Sequence, residues 1–148
     1  MSNKMMKVKS IAVLFITCIS LTVAAKDKSY GNATVSEITS IYDGDTFRAN
    51  IKGYPAIVGK HMSIRINGID TPELRGKCDK EKQRARKAKQ FTVEHLRNAK
   101  NITLKNIKRG KYFRLIADVY VDGISLGELL LNNKHAVKYA DKTQKKWC

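Results

Sequence analysis

Apolar positions along this 148-residue chain change period, and the changes mark out its elements. Residues 34–41 alternate, with Val35, Ile38 and Ile41 apolar and room for a bulge among them, which predicts a strand. Asp43-Gly44 follows as a two-residue turn signal, and residues 46–51 return as a second strand. Gly53-Tyr54-Pro55 breaks that run, and 56–61 has no clear period. Residues 63–69 alternate again through Ile64, Ile66 and Ile69. Over 80–100 the period lengthens to three and four: Ala85, Ala88, Phe91 or Thr92, Leu96 and Ala99 share one face of a helix. The opposite face carries Lys82, Arg86, Lys87, Lys89 and Arg97, and Asp79 is placed to cap the start. Strands are expected over 101–107 and 112–121, separated by a basic turn containing Gly110. Asp122-Gly123 turns the chain, and Ser125 is placed to cap a short helix through Leu131. Three strands, a helix, two strands and a helix suit a five-stranded barrel with helices, an α+β fold of the OB type. They do not suit a doubly wound sheet, in which strand and helix alternate.

The first 25 residues stand apart from this pattern. Lys4, Lys7 and Lys9 precede an apolar run over 11–23, and Val23-Ala24-Ala25 offers small residues for cleavage. This reads as a signal peptide over 1–25, with a retained anchor as the alternative. A lipoprotein reading fails because Phe15 and Thr17 precede Cys18. A flexible segment is then expected over 26–33 and a single domain over 34–148. The expected destination is the periplasm or the exterior, with no stable membrane association after cleavage.

Charge changes the picture further. Lys and Arg number 29 against 13 Asp and Glu, a formal net charge of +16. Losing three lysines and no acid with the leader leaves +13. Such an excess points to a polyanionic partner, nucleic acid or an anionic membrane. A membrane-active reading is weak, because no strongly amphipathic basic helix with bulky aromatics is present. Cys78 and Cys148 remain after the leader is removed. An even count in an exported chain suits a disulfide, with two free thiols as the alternative. Closing that loop is worth roughly 4 kcal/mol in the chain-entropy model.

Within this basic chain sits a small acidic knot. Asp43-Gly44-Asp45-Thr46 and Arg65-Ile66-Asn67-Gly68-Ile69-Asp70-Thr71-Pro72-Glu73 each place acids and turn formers at the edge of a strand-like run. Carboxylates gathered on a phosphate-attracting surface suit a hard divalent cation, which takes oxygen ligands. Taken singly, Asp43-Gly44 is an ordinary turn, Asp70 and Glu73 are loop charges, and Arg65 is a structural ion-pair partner. His61, His95 and His135 are scattered without metal-ligand spacing or a nucleophile partner and read as non-catalytic.

These two stretches, followed by Lys111-Tyr112-Phe113-Arg114 and Tyr120-Val121-Asp122-Gly123, resemble in order and approximate spacing the motifs of the staphylococcal nuclease (thermonuclease) family. The resemblance covers about 34–140. It implies a five-stranded OB barrel and metal-dependent hydrolysis of DNA and RNA phosphodiesters by a monomer, usually with Ca²⁺, leaving 3′-phosphate ends. It also implies roles. Asp45 and Asp70 match carboxylate metal ligands, and Thr71 matches a residue whose carbonyl binds the metal. Glu73 matches the glutamate that positions or deprotonates the attacking water. Arg65 and Arg114 match the arginines that grip the scissile phosphate, Lys111 and Tyr112 match side chains near a substrate phosphate, and Asp43 supports the metal ligands. Tyr139 resembles an aromatic near the nucleotide site, in a looser register, with packing as its alternative role. One departure stands out: Phe113 occupies a position where the family often has glycine. A barrel that binds nucleic acid without cutting it is the competing reading. The combined set of Asp45, Asp70, Glu73, Arg65 and Arg114 argues against it, since a pure binder gains nothing from acids beside phosphate.

Overall fold

The computed structural model describes residues 28–139 and 147–148. The expected signal peptide over 1–25 lies outside the described residues, as does the tail over 140–146. In chain order the elements are β1 (Ala33–Ile41), β2 (Thr46–Ile51), α1 (Ala56–Gly59), β3 (Met62–Ile66), β4 (Ile69–Asp70) and α2 (Asp79–Asn98). They continue with β5 (Ile102–Arg109), β6 (Leu115–Val121), β7 (Ile124–Ser125), α3 (Leu126–Asn132) and β8 (Val137–Lys138).

β3, β2, β1, β5 and β6 pair in that order, and β6 closes the ring by pairing with β3 in parallel. The expected five-stranded α+β barrel is thus the fold observed. Alternation sorts the side chains: in β6, Leu115, Ala117, Val119 and Val121 are buried while the residues between them are half-exposed. Phe47, Ile64, Leu104 and Val119 fill the interior, and Leu96 of α2 with Leu126 and Leu130 of α3 belong to the same core. Each large apolar side chain so buried contributes about 1.5–3 kcal/mol. Register shifts in β1 between Val35 and Glu37 and between Ile38 and Ser40 supply the expected bulge. Within the segment expected to be loose, Tyr30 and Gly31 exchange backbone hydrogen bonds with Ile107 of β5.

Several local expectations are corrected. Residues 56–59 form a single helical turn. The strand expected from Tyr112 begins at Leu115, because Tyr112 and Phe113 both take left-handed backbone angles, φ +57° and +60°. The α2 cap is Cys78, not Asp79: Cys78 Sγ accepts from the Glu81 N–H at 3.5 Å. Cys78 is joined to Cys148 with Cα atoms 6.0 Å apart, so the disulfide pins the chain's last residue to the start of α2. Ser125 does cap α3, accepting from the Glu128 N–H.

Asp43-Gly44 is not a two-residue hairpin. Residues 42–45 link β1 to β2, with Tyr42 and Asp43 both donating their N–H to the Thr46 carbonyl. The Asp43 side chain accepts from the Asp45 N–H at 3.1 Å, a local Asx closure. Gly44 is needed there for close approach: a Cβ at that position would sit 2.9 Å from Ala88 Cβ of α2 and 2.9 Å from Thr71 Cγ2. Thr92 of α2, fully buried, donates its hydroxyl to the Gly44 carbonyl at 2.6 Å. The helix therefore presses the loop against the 69–73 segment. Gly44→Ala is expected to destabilise the protein by about 1–3 kcal/mol, read as a lower denaturation midpoint at unchanged m-value.

Candidate active site

The β1–β2 loop, β3, the segment after β4 and the turn before β6 converge at one end of the barrel. Asp45 leads into β2 and Asp70 ends β4, and both carboxylates are buried. Arg65, pointing from β3, binds both: Nη1 to Asp45 Oδ1 at 2.7 Å and Nη2 to Asp70 Oδ1 at 3.0 Å. Asp45 Oδ1 also accepts from the Thr46 hydroxyl at 2.8 Å, and Oδ2 accepts from the Thr71 N–H at 3.1 Å. The Thr71 hydroxyl is buried without a partner. β8 pairs with β4, Ile69 against Lys138 and Asp70 against Val137, so Tyr139 follows directly and its ring lies 5.9 Å from the Arg65 guanidinium carbon.

Two clefts open on this centre, and Arg65, Glu73 and Arg114 line both. The first, about 460 Å³, is also lined by Asp70, Lys111 and Tyr139. The second, about 680 Å³, is lined by Tyr42, Asp43 and Arg48 among others. The structure thus brings Asp45, Asp70, Thr71, Arg65, Glu73 and Arg114 together, with Lys111 at the mouth. Tyr112 is 94% exposed and is not among the lining residues of either cleft. His95 and His135 both pack on Phe91 of α2 and line neither cleft.

The turn before Arg114 is held by local bonds. The Gly110 N–H donates to the Arg114 carbonyl at 2.7 Å, and the Arg114 N–H to the Lys111 carbonyl at 3.2 Å. Phe113 stands where glycine fits readily, because φ is positive there. Its carbonyl accepts from Arg109 Nη1 at 3.2 Å, and its ring lies 4.3 Å from the Arg109 guanidinium carbon. These contacts offset a left-handed cost of about 1–2 kcal/mol for the residue.

The electrostatics are those of a site with too much negative charge. Burial pushes the Asp45 carboxyl up to about 6, opposed by the Arg65 charge and reinforced by Asp43. Asp43 is raised, first by burial and then by Glu73, against the hydrogen bond from the Asp45 N–H. Glu73 is raised by desolvation, then by the charges of Asp45 and Asp70. For Arg65, burial opposes the charged form, but Asp45 and Asp70 outweigh it and the guanidinium is held more firmly protonated. Oxygen donors in excess of one guanidinium, beside an orphaned buried hydroxyl, fit a hard divalent cation. Asp45, Asp70 and the Thr71 carbonyl are the groups that would hold it. Among the described residues, no three carboxylates here bring an oxygen each within 4.8 Å of one another; the one group of ligand atoms that close is the sulfurs of Cys78 and Cys148 with a Glu81 carboxylate oxygen. Arg65 stands between Asp45 and Asp70, and the two cysteines are committed to their disulfide.

The chain can now be compared with known proteins. The sequence model for staphylococcal nuclease homologues matches residues 63–147, more than half of the chain. This chain belongs to the staphylococcal nuclease family. The match begins inside β3, so the 43–46 stretch lies outside it; what ties Asp45 to the matched region is its bridge to Arg65. An uncharacterized protein of Bacillus anthracis is 28% identical over 123 residues, covering 80% of this chain and 54% of that protein. The chain therefore spans about half the length of that relative.

One residue beside this candidate site escaped the sequence reading. Glu81, buried in the first turn of α2, accepts the Lys77 N–H at 2.9 Å and, at 3.4 Å, the Glu73 N–H. Gly76 leaves room for it, since a Cβ there would collide with the Glu81 carboxyl group. The only sequence signal is an acid three residues after the capping position, which is unreadable until Cys78 is known to be the cap. Glu81 is thus a positioning residue for the loop that carries Glu73. Glu81→Ala is expected to lower kcat about tenfold or more with little change in KM, because small misplacements of a reacting group are costly. Limited proteolysis within 73–77 should quicken in parallel; unchanged kcat with intact loop protection would refute the role.

Proposed function

We propose that the protein is an exported, divalent-cation-dependent nuclease that hydrolyses phosphodiester bonds of both DNA and RNA, leaving 3′-phosphate ends, with Ca²⁺ as the first choice of cation. The observation that carries this reading is the shared wall of the two clefts: Arg65, Glu73 and Arg114 facing one space in front of buried Asp45 and Asp70.

Arg65 and Arg114 offer planar forks that match the equatorial oxygens of a phosphodiester, where negative charge grows during attack. Glu73 is the carboxylate of this group open to solvent, and it orients the attacking water and takes its proton. Desolvation, then the charges of Asp45 and Asp70, raise its pKa, so its carboxylate is a stronger base than that of a free glutamate. A cation held by Asp45, Asp70 and the Thr71 carbonyl supplies Lewis-acid stabilisation of that same charge. Arg65 is paired with both aspartates, and a cation held by them would supply the positive charge they now draw from its guanidinium. Lys111 adds a point charge at the cleft mouth, and Tyr112, beside it, lies within the same basic turn. Phosphate contacts carry no direct sequence information, so cutting proceeds without regard to sequence, and a grip on phosphate alone reads no 2′-hydroxyl, so DNA and RNA are both accepted. Binding should weaken with salt through counterion release.

Export is supported by the charged and apolar leader over 1–25 and by the Cys78–Cys148 disulfide, which suits the periplasm or exterior. The protein acts as a monomer. Incubation of the mature protein with plasmid and with RNA, in Ca²⁺, in Mg²⁺ and in chelator, tests the reading. Degradation with Ca²⁺, its loss in chelator and ends resistant to extension until dephosphorylated are expected. No degradation under any condition sinks it.

A further inference from the structure

The second cleft holds chemistry that the reaction centre does not use. Beyond Arg65, Glu73 and Arg114 it is lined by Tyr42 from the β1–β2 loop, Arg48 from β2, Arg75 from the loop before α2 and Lys89 from α2. Among the described residues, none of these three cations forms an ion pair or a side-chain hydrogen bond. Tyr42 is 51% exposed, so a large part of its side chain is free. At about 680 Å³ the cleft is roomier than the one holding Lys111 and Tyr139, and the two meet at the same three residues. A polymer gripped at a phosphodiester by Arg65 and Arg114 must continue on both sides of that phosphate. Unpaired cations with an open aromatic are what a single strand recognises without regard to sequence: charge for the backbone, a ring for the base.

We propose that this cleft is a second nucleotide subsite, resting on the phosphodiesterase reading above. It holds the nucleotide on the opposite side of the scissile phosphate from the Lys111–Tyr139 cleft. Tyr42 stacks on the base, and Arg48, Arg75 and Lys89 hold the next phosphate. Substrates extending into it bind more tightly than those that end at the scissile phosphate.

Binding of two probes to proteins carrying Glu73→Gln, which removes the proposed base so that the strand is not consumed, is read by fluorescence anisotropy and calorimetry in Ca²⁺ and tests this without requiring turnover. One probe is a labelled single strand of about a dozen nucleotides, long enough to cross both clefts. The other is a nucleoside bisphosphate, which fills one cleft and the grip. The Arg48→Ala/Lys89→Ala double variant is expected to weaken the long probe about tenfold or more, and Tyr42→Ala about five- to 100-fold, with bisphosphate affinity unchanged. The matched control, Arg86→Ala/Lys87→Ala, removes the same charge from exposed positions of α2 outside both clefts and should change the long probe's affinity little. Equal weakening by the control means a diffuse field and overturns the subsite, as does an unchanged long-probe affinity or a parallel loss for the bisphosphate. Because binding is read separately, a protein that cuts nothing yet loses long-probe affinity selectively keeps the subsite while the nuclease reading falls.

Discussion

Arg114→Lys lowers kcat/KM on DNA by about 10²-fold or more while DNA affinity falls only a few-fold. The expectation rests on how the side chain is held. Arg114 Nε is buried without a hydrogen-bond partner, a state that costs about 1–3 kcal/mol unless a ligand relieves it. The backbone bonds at Gly110 and Lys111, with the left-handed pair Tyr112 and Phe113, keep the residue at the wall common to both clefts. A fork so placed can donate two hydrogen bonds to a phosphate, whereas lysine keeps the charge and loses the geometry. Affinity is spread over many cations in a chain of charge +16, so one substitution barely moves it. The rate, by contrast, depends on charge developing at one phosphate. Initial rates on a fixed DNA substrate, with anisotropy binding measured alongside, separate the two. A variant that cuts at the parental rate removes Arg114 from the phosphate grip.

How much of this was legible beforehand differs by residue. β2 was read to its bounds over 46–51, and the apolar face of α2 emerged from spacing alone, because both depend on local periodicity. The acids pointed to a cation because they are clustered in a basic chain, whereas the roles expected of Arg65, Glu73 and Arg114 came from the resemblance of their motifs to a family, since each residue singly has an ordinary structural reading. What sequence could not show depends on distant partners. Asp43-Gly44 looked like a tight turn, yet its glycine answers to Ala88 and Thr71, which arrive from α2 and the far side of β3. Tyr112-Phe113 looked like the start of a strand because both are good strand formers; Arg109 holds Phe113 in a conformation that propensity disfavours. Tyr139 gained its place beside Arg65 only through the β4–β8 pairing, a register that no local pattern announces. Glu81 is buried through contacts with the 73–77 loop, and nothing in its neighbours' identities signals that.

Asp45→Asn should make the cation-free protein more stable at neutral pH and less stable at about pH 4, with nuclease activity down at least 10²-fold. The sign follows from the folded Asp45 pKa of about 6 against an ordinary aspartate value of 3.8. The group binds its proton more tightly in the folded chain than in the unfolded one. Its contribution is therefore fully present below the unfolded value, is lost as pH rises toward about 6, and is absent above. A shift of that size corresponds to about 3 kcal/mol of stability given up by neutral pH. Asparagine carries no charge at any pH, so it escapes the loss. It gives up about 1 kcal/mol for the Thr71 N–H, which faces an amide nitrogen instead of a carboxylate oxygen. The two stability curves should cross between about pH 4 and pH 7, with the variant ahead by about 2 kcal/mol at the upper end. Added Ca²⁺ should raise the melting temperature of the parent chiefly above about pH 6, where the Asp45 carboxylate is free to accept a cation, and do little for the variant. Urea titrations across this pH range, with and without Ca²⁺, measure all of it. Parallel curves would mean that Asp45 carries no raised pKa, and an equal Ca²⁺ response in both proteins would place the cation elsewhere. The crossing is the mark of an acid kept buried against its own stability.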